Sequence, residues 1–229
     1  MGKISKLLKR KDVGSMGIGA LIIFIAMVLV AGIAASVLVQ VANTLQMQAL
    51  YTGYETIDEV ATGIGVVDIE GHVANNSEDG IDKITISVRA RAGSADIDLS
   101  ETIIEIANNE TKMVLRWDND SIALTPNSTG IFNTTTDAGA DTNNSLWPST
   151  ANEFGILVIE DADGSCKLTT PIINKGDLVM LCINTSQAFA PGLPPRMDIW
   201  GAVIPEIGSW GIISFRTPPT YNDKVYDLQ

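Results

Sequence analysis

Between Val13 and Tyr54 the chain carries no charged residue. Residues 18–39 are apolar at almost every position, long enough for a helix to cross a hydrocarbon core. Amides then break the run at Gln40, Asn43, Gln46 and Gln48. Val41, Leu45, Met47, Leu50, Tyr51, Tyr54, Ile57 and Val60 continue an apolar face at three-to-four spacing. The pattern predicts one helix over about 17–61, reaching about 65 Å at 1.5 Å per residue. Its first half is apolar all round, so it has to be buried in lipid or among other helices. Gly32, Ala34, Ala35 and Ser36 are small and allow close helix–helix approach.

Beyond Thr62 the apolar period changes to two. In DKITISVRARA, Ile84, Ile86 and Val88 face one way while Thr85, Ser87 and Arg89 face the other. GIGVVDIEGHVA, TIIEIAN, KMVLRW, EFGILVIED, DLVMLCINT, IWGAVIP and GIISFRT read as further short strands, separated by Gly, Pro, Asn and Asp clusters. Their number and spacing predict an antiparallel, Ig-like β-sandwich over 62–229. The expected class is therefore α+β: a long hydrophobic N-terminal helix followed by a sandwich. A polar insertion at about 118–152, rich in Asn, Thr, Asp and Ser, is expected as a long loop or exposed hairpin.

Charge refines this picture. The chain of 229 residues has a net charge of −12, yet its first 14 residues are basic, with Lys3, Lys6, Lys9, Arg10 and Lys11 against Asp12. The remainder is strongly acidic, which argues against nucleic acid, because phosphates would be repelled. By the positive-inside rule the basic head stays on the cytoplasmic side and the sandwich outside. An ordinary signal peptide places its small cleavage-site residues after a shorter apolar run. Here the small residue, Gly14, precedes the run, so cleavage there would remove the charged head and keep the hydrophobic helix.

Candidate chemistry is sparse. His72 is the only histidine, which removes most Ser-His-Asp, Cys-His and multi-histidine metal schemes, and its place at a strand start suits a structural role. No carboxylate pair stands out as an acid–base couple, so an enzyme is not expected. Cys166 and Cys182 either form one bridge or stand as two buried thiols. Asp161 and Asp163, in an Asp-x-Asp-Gly turn, offer oxygens to a hard cation such as Ca²⁺, although the rest of a calcium loop is missing and such turns also serve simply to join strands. Asp118, Asn119 and Asp120 compete for that role. No cofactor is required. Asn-x-Ser/Thr sequons stand at Asn75, Asn109, Asn119, Asn127, Asn133, Asn143 and Asn184, and those from Asn109 to Asn143 cluster at the polar insertion, where a glycan would point to solvent.

The segment GSMGIGALIIFIAMVLVAGIAASVLVQVANTLQMQA resembles the amino terminus of archaeal flagellins, or archaellins, a type IV pilin-like family. Gly-Ile-Gly at 17–19 and the apolar run at 23–30 carry the resemblance most closely. FGILVIEDADGSC with TPIINKGDLVMLCINT resembles the family's central strand pair, and GAVIPEIGSWGIISFRTPPTY its carboxyl terminus. The resemblance implies a class III leader, residues 1–14, cut between Gly14 and Ser15 by a dedicated membrane peptidase, with Lys9, Arg10, Lys11 and Gly17 as recognition residues. Asp12 and Val13 depart from the charged pair usual before the glycine. Gly19, fifth in the mature chain, stands where bacterial type IV pilins usually carry glutamate.

The resemblance further implies N-glycosylation and, in some members, a metal in the outer domain. It implies a motility filament outside the cell, built through residues 15–61 from copies of itself or paralogous archaellins. It also implies insertion in the cytoplasmic membrane before assembly, and a platform with an assembly ATPase that supplies energy. Two other readings stay open at this point: a type IV-like adhesion pilin, and a membrane-anchored surface protein that never polymerises.

Overall fold

The computed structural model describes residues 2–74, 80–125, 130–133 and 146–229, with side chains from residue 17 onward. It divides into two compact units, residues 1–55 and 56–229.

The first unit belongs to helix α1, Gly2–Ala61. The helix starts well before the expected residue 17, because the leader contains no proline and several good helix formers, so nothing stops it. From Gly17 to Ala61 none of its residues is buried. Large apolar side chains stand open along its length, such as Ile18 at 64% and Val60 at 78% exposure.

In the second unit each strand predicted from alternation is present. These are β1 (Ile64–His72), β2 (Lys83–Ala90), β4 (Ile103–Ala107), β5 (Lys112–Ala123), β6 (Glu153–Glu160), β8 (Leu178–Asn184), β9 (Asp198–Ile204) and β10 (Gly211–Arg216). The short strands β3 (Ile97–Asp98), β7 (Ile172–Ile173) and β11 (Val225–Asp227) are additions. They are too brief to show a period. A short helix, α2 (Thr185–Ala188), follows β8.

The helix followed by a mainly antiparallel β domain is as expected; the layering differs from the immunoglobulin arrangement. Instead of two separate sheets, nine strands form one hydrogen-bonded sheet in the order β10-β9-β4-β5-β6-β8-β2-β1-β11, and β3 pairs only with β7. The join is the one parallel pair, β5 with β6, which the 124–152 crossover makes possible. Strand twist curls the sheet until its ends meet. Gly63 bridges Ser209, and Ile64 N–H donates to Ser209 O at 3.1 Å. The curled sheet encloses Ile69, Ile86, Ile104, Phe154, Leu181 and Ile213 with their neighbours.

Residues 126–129 and 134–145 of the insertion lie outside the described residues, and its described parts are not free loop. Residues 118–123 belong to β5. Phe132, Leu146 and Trp147 are buried against Leu157, Met180 and Cys182 on the outer face of the sheet, in a second apolar cluster. Gly155 permits this approach, since a Cβ there would overlap the Leu146 carbonyl oxygen. The Phe132 ring stacks on His72 at 4.9 Å and on Trp147 at 5.7 Å, and the Lys83 ammonium lies 4.9 Å from the Trp147 ring. Lys83 also donates to the Phe132 carbonyl at 3.2 Å. Burial pushes the Lys83 ammonium below its ordinary range. His72 closes β1 instead of opening a strand, and its Nδ1 sits 2.8 Å from Asp82 Oδ1.

Candidate functional site

Two features carry chemistry: the open surface of α1 and a carboxylate cluster between β6 and β8.

The helix contains a span, Gly17–Ala61, whose most apolar window has a mean hydropathy of 3.0. Along it, 22 large apolar side chains are exposed. At about 1.5 kcal/mol each, leaving them in water would cost on the order of 30 kcal/mol. This surface therefore needs a lipid or protein environment. Gly14, Ser15, Lys9, Arg10 and Lys11 lie on the helical backbone of α1. Gly17 is exposed on the same helix, with no heavy atom within 4 Å of where a Cβ would stand.

The second feature lies where β6 ends and β8 begins. The 161–165 turn wraps its backbone N–H groups around its own carboxylates. Asp161 Oδ1 accepts from Gly164 N at 2.8 Å, and Asp161 Oδ2 accepts from Cys166 N at 3.1 Å. Asp163 Oδ1 accepts from Ser165 N at 3.0 Å, and its Oδ2 from Asn174 Nδ2 at 2.6 Å. These hydrogen bonds, from Asn174 first and then Ser165, hold the Asp163 carboxyl below its usual range. The facing turn, 174–177, supplies Asp177, made possible by Gly176 at φ +110°. Asp177 Oδ2 accepts from Asn174 N at 2.9 Å and lies 3.3 Å from Ser165 Oγ.

Asp177 is 2% exposed, and its Oδ1 has no hydrogen-bond partner. One ligand oxygen each from Asp161, Asp163 and Asp177 fall within 4.8 Å of one another. A buried carboxylate oxygen without a partner is costly. A hard divalent cation, which takes carboxylate and carbonyl oxygens, would satisfy it and neutralise the cluster. The donor set fits Ca²⁺.

Among the described residues no other group brings three such ligands together. Asp118 instead accepts from Asp120 N at 3.2 Å and Ser121 Oγ at 2.7 Å within β5, and Asn119 is exposed beside it. Sequence reasoning found Asp161 and Asp163 but not Asp177. The pairing of β6 with β8 places Asp177 there, and no local spacing signals it.

Cys166 and Cys182 do not pair. Along β8, Val179, Leu181 and Ile183 face the main core while Met180 and Cys182 face the outer cluster, and Cys166 belongs to the main core. The two thiols therefore occupy opposite sides of the sheet, and a bridge would have to pass through it. Burial pushes the Cys166 thiol up to about 12 and Cys182 higher than its ordinary value as well.

Of the sequons, Asn109 is exposed in the β4–β5 hairpin, and Asn119 and Asn133 are exposed. Asn184 is half-buried, with its Nδ2 donating to Pro148 O at 3.0 Å and its Oδ1 accepting from Ser186 Oγ at 2.7 Å. Asn75, Asn127 and Asn143 lie outside the described residues.

A sequence profile described as archaeal-type flagellin matches residues 14–215. The chain belongs to the archaeal flagellin family. It is 45% identical to flagellin B2 of Methanocaldococcus jannaschii over 99% of this chain and 100% of the relative. It is 35% identical to flagellin B3 of Thermococcus kodakarensis over 96% of this chain and 98% of the relative. The crystal structure of archaeal flagellin FlaB1 from M. jannaschii superposes with a TM-score of 0.60 at 30% identity, covering 74% of this chain and 98% of that one. The archaeal flagellum of Methanospirillum hungatei strain JF1 shares the fold, with a TM-score of 0.60 at 14% identity over 91% of this chain and 98% of that one. This flagellin is a structural subunit of the archaeal flagellum and acts outside the cell by polymerising with other archaellins.

Proposed function

We propose that this flagellin is made with a leader, residues 1–14, that a membrane peptidase removes between Gly14 and Ser15, reading Lys9, Arg10, Lys11 and Gly17. The observation that carries the proposal is the apolar surface of α1, exposed around the helix over residues 18–39. Before cleavage the basic head holds the helix across the cytoplasmic membrane with the β domain outside. After cleavage the helix leaves the bilayer and packs among helices of neighbouring copies. Heterologous contacts that do not close then extend into a helical filament. Lipid covers the same apolar surface as well as neighbours do, so extraction needs an energy-driven membrane platform with its ATPase.

The β domain faces water in the filament. Asn109, Asn119 and Asn133 are the described sequons open to a glycan, whereas the Asn184 side-chain nitrogen is already held by Pro148. Asp161, Asp163 and Asp177 hold Ca²⁺ and tie the start of β8 to the end of β6.

Shearing cells, collecting the extracellular fibres and sequencing the amino terminus of this subunit tests the scheme. Fibres beginning at Ser15, with intact mass above the polypeptide value and peptide maps modified at Asn109 but not Asn184, are expected. Protein confined to the membrane and beginning near Met1 would refute it.

A further inference from the structure

The middle of α1 carries a feature that anchoring and hydrophobic polymerisation do not need. Gln40, Asn43, Thr44 and Gln48 fall within an arc of about 140° on the helix surface at about 100° per residue. Met47 lies inside the same arc and Gln46 outside it, while Leu38, Ala42, Leu45 and Ala49 lie on the opposite side. Thr44 satisfies its hydroxyl inside the helix, donating to the Gln40 carbonyl at 3.0 Å. The side-chain amides of Gln40, Asn43 and Gln48 make no hydrogen bond among the described residues, and all three residues are exposed.

We propose that Gln40, Asn43 and Gln48 form an amide belt that hydrogen-bonds to the same belt on neighbouring copies and sets the axial stagger of the packed helices. The inference rests on the reading of α1 as the polymerising helix, and the belt is continuous with that interface.

Three observations favour a second copy as the occupant. First, an amide is both donor and acceptor, so identical side chains can satisfy one another. Second, no charge occurs from Val13 to Tyr54, and like charges on identical copies would repel where they met. A helix face destined for water has no such restriction. Third, the segment before the belt, residues 18–39, is almost wholly apolar and offers little register of its own, because one turn of slip exchanges one aliphatic contact for another. A slip of one turn at the belt would instead bury amides against Leu38 or Leu45 without partners. Polar side chains in an otherwise apolar helix interface select register in this way, at some expense of stability.

The test compares fibres from cells producing the natural chain, the Gln40→Leu/Asn43→Leu double variant and the Asn43→Gln variant, by measuring helical rise and twist in electron micrographs of frozen fibres. The natural chain and Asn43→Gln are expected to give one rise; the double variant is expected to give a shifted rise or several. A double variant with the same single rise overturns the belt. If the double variant yields no fibre, the Gln40→Cys/Asn43→Cys variant decides. Mild oxidation of its fibres is expected to produce covalent multimers through bonds between copies, while the natural chain, whose thiols are buried, stays monomeric on a denaturing gel. Absence of multimers overturns the belt. Fibres from the natural chain test the filament reading separately, since their formation does not depend on which rise the variants adopt.

Discussion

Replacing Asp177 by asparagine should change the sign of its effect with calcium. In chelator the natural chain keeps a carboxylate that is 2% exposed with one oxygen unpartnered. An asparagine oxygen can keep the bonds from Asn174 N and Ser165 Oγ, and its NH₂ group can donate toward the facing Asp161 and Asp163 oxygens. Relieving one unsatisfied buried polar atom is worth about 1–3 kcal/mol. Asp177→Asn should therefore melt higher than the natural chain in chelator, by about 2–12 °C at about 2–4 °C per kcal/mol for a domain of this size.

Calcium reverses the order. Extracellular calcium modules bind at about 10⁻⁴–10⁻³ M. At 10 mM calcium that affinity stabilises the native state by about 1.4–2.7 kcal/mol, or about 3–10 °C. The variant, lacking one of three carboxylates, should gain far less. The assay is calorimetry of sheared fibres, following the β-domain transition in EDTA and in 10 mM CaCl₂. An equal calcium shift in both proteins, or none in either, would show that the cluster does not bind the ion.

Two further outcomes follow from the β domain. Gly155→Ala places a methyl group onto the Leu146 carbonyl, so it should lower stability by about 1–3 kcal/mol through overpacking. It should also speed the reaction of the Cys182 thiol with a maleimide; unchanged labelling would argue against the insertion as the cover of that face. Glu70 is pushed above the ordinary carboxylate range by burial first, then by Asp68 and Asp227. A raised folded value means that the stabilising contribution is complete below the unfolded value and is lost as pH rises through the folded one. Glu70→Gln should thus raise the melting temperature at neutral pH and leave it unchanged in acid, and a difference that persists in acid would contradict this origin.

The helix and the long strands were legible because each is a periodic pattern within one stretch of chain. An apolar run from 18 to 39 can be little else, and the alternation of Ile84, Ile86 and Val88 places β2 with its correct inner face. The layering was not legible. It depends on β5 meeting β6 in parallel, a pairing across the insertion that no local period encodes. The insertion looked polar by composition, yet its described residues Phe132, Leu146 and Trp147 are buried in the outer cluster. Two of the three carboxylates were readable from Asp-x-Asp-Gly, whereas Asp177 arrives through strand pairing. Two cysteines invite a bridge on paper, and only the pleat of β8 shows that they face opposite ways.

The meeting of the sheet's two ends has a bearing on how such a subunit can be stored and exported safely. A strand with free N–H and C=O groups is a template for another chain's strand, and a protein made in filament quantities would be exposed to that hazard continually. In this domain the far side of β1 is shared between two neighbours. Gly63 and Ile64 meet Ser209, and Glu70, Gly71 and His72 pair with β11. The strand left outermost there, β11, is only three residues long, with Asp223 before it and Asp227 as its last residue. Fibrillation by edge pairing is thereby discouraged at this end of the sheet.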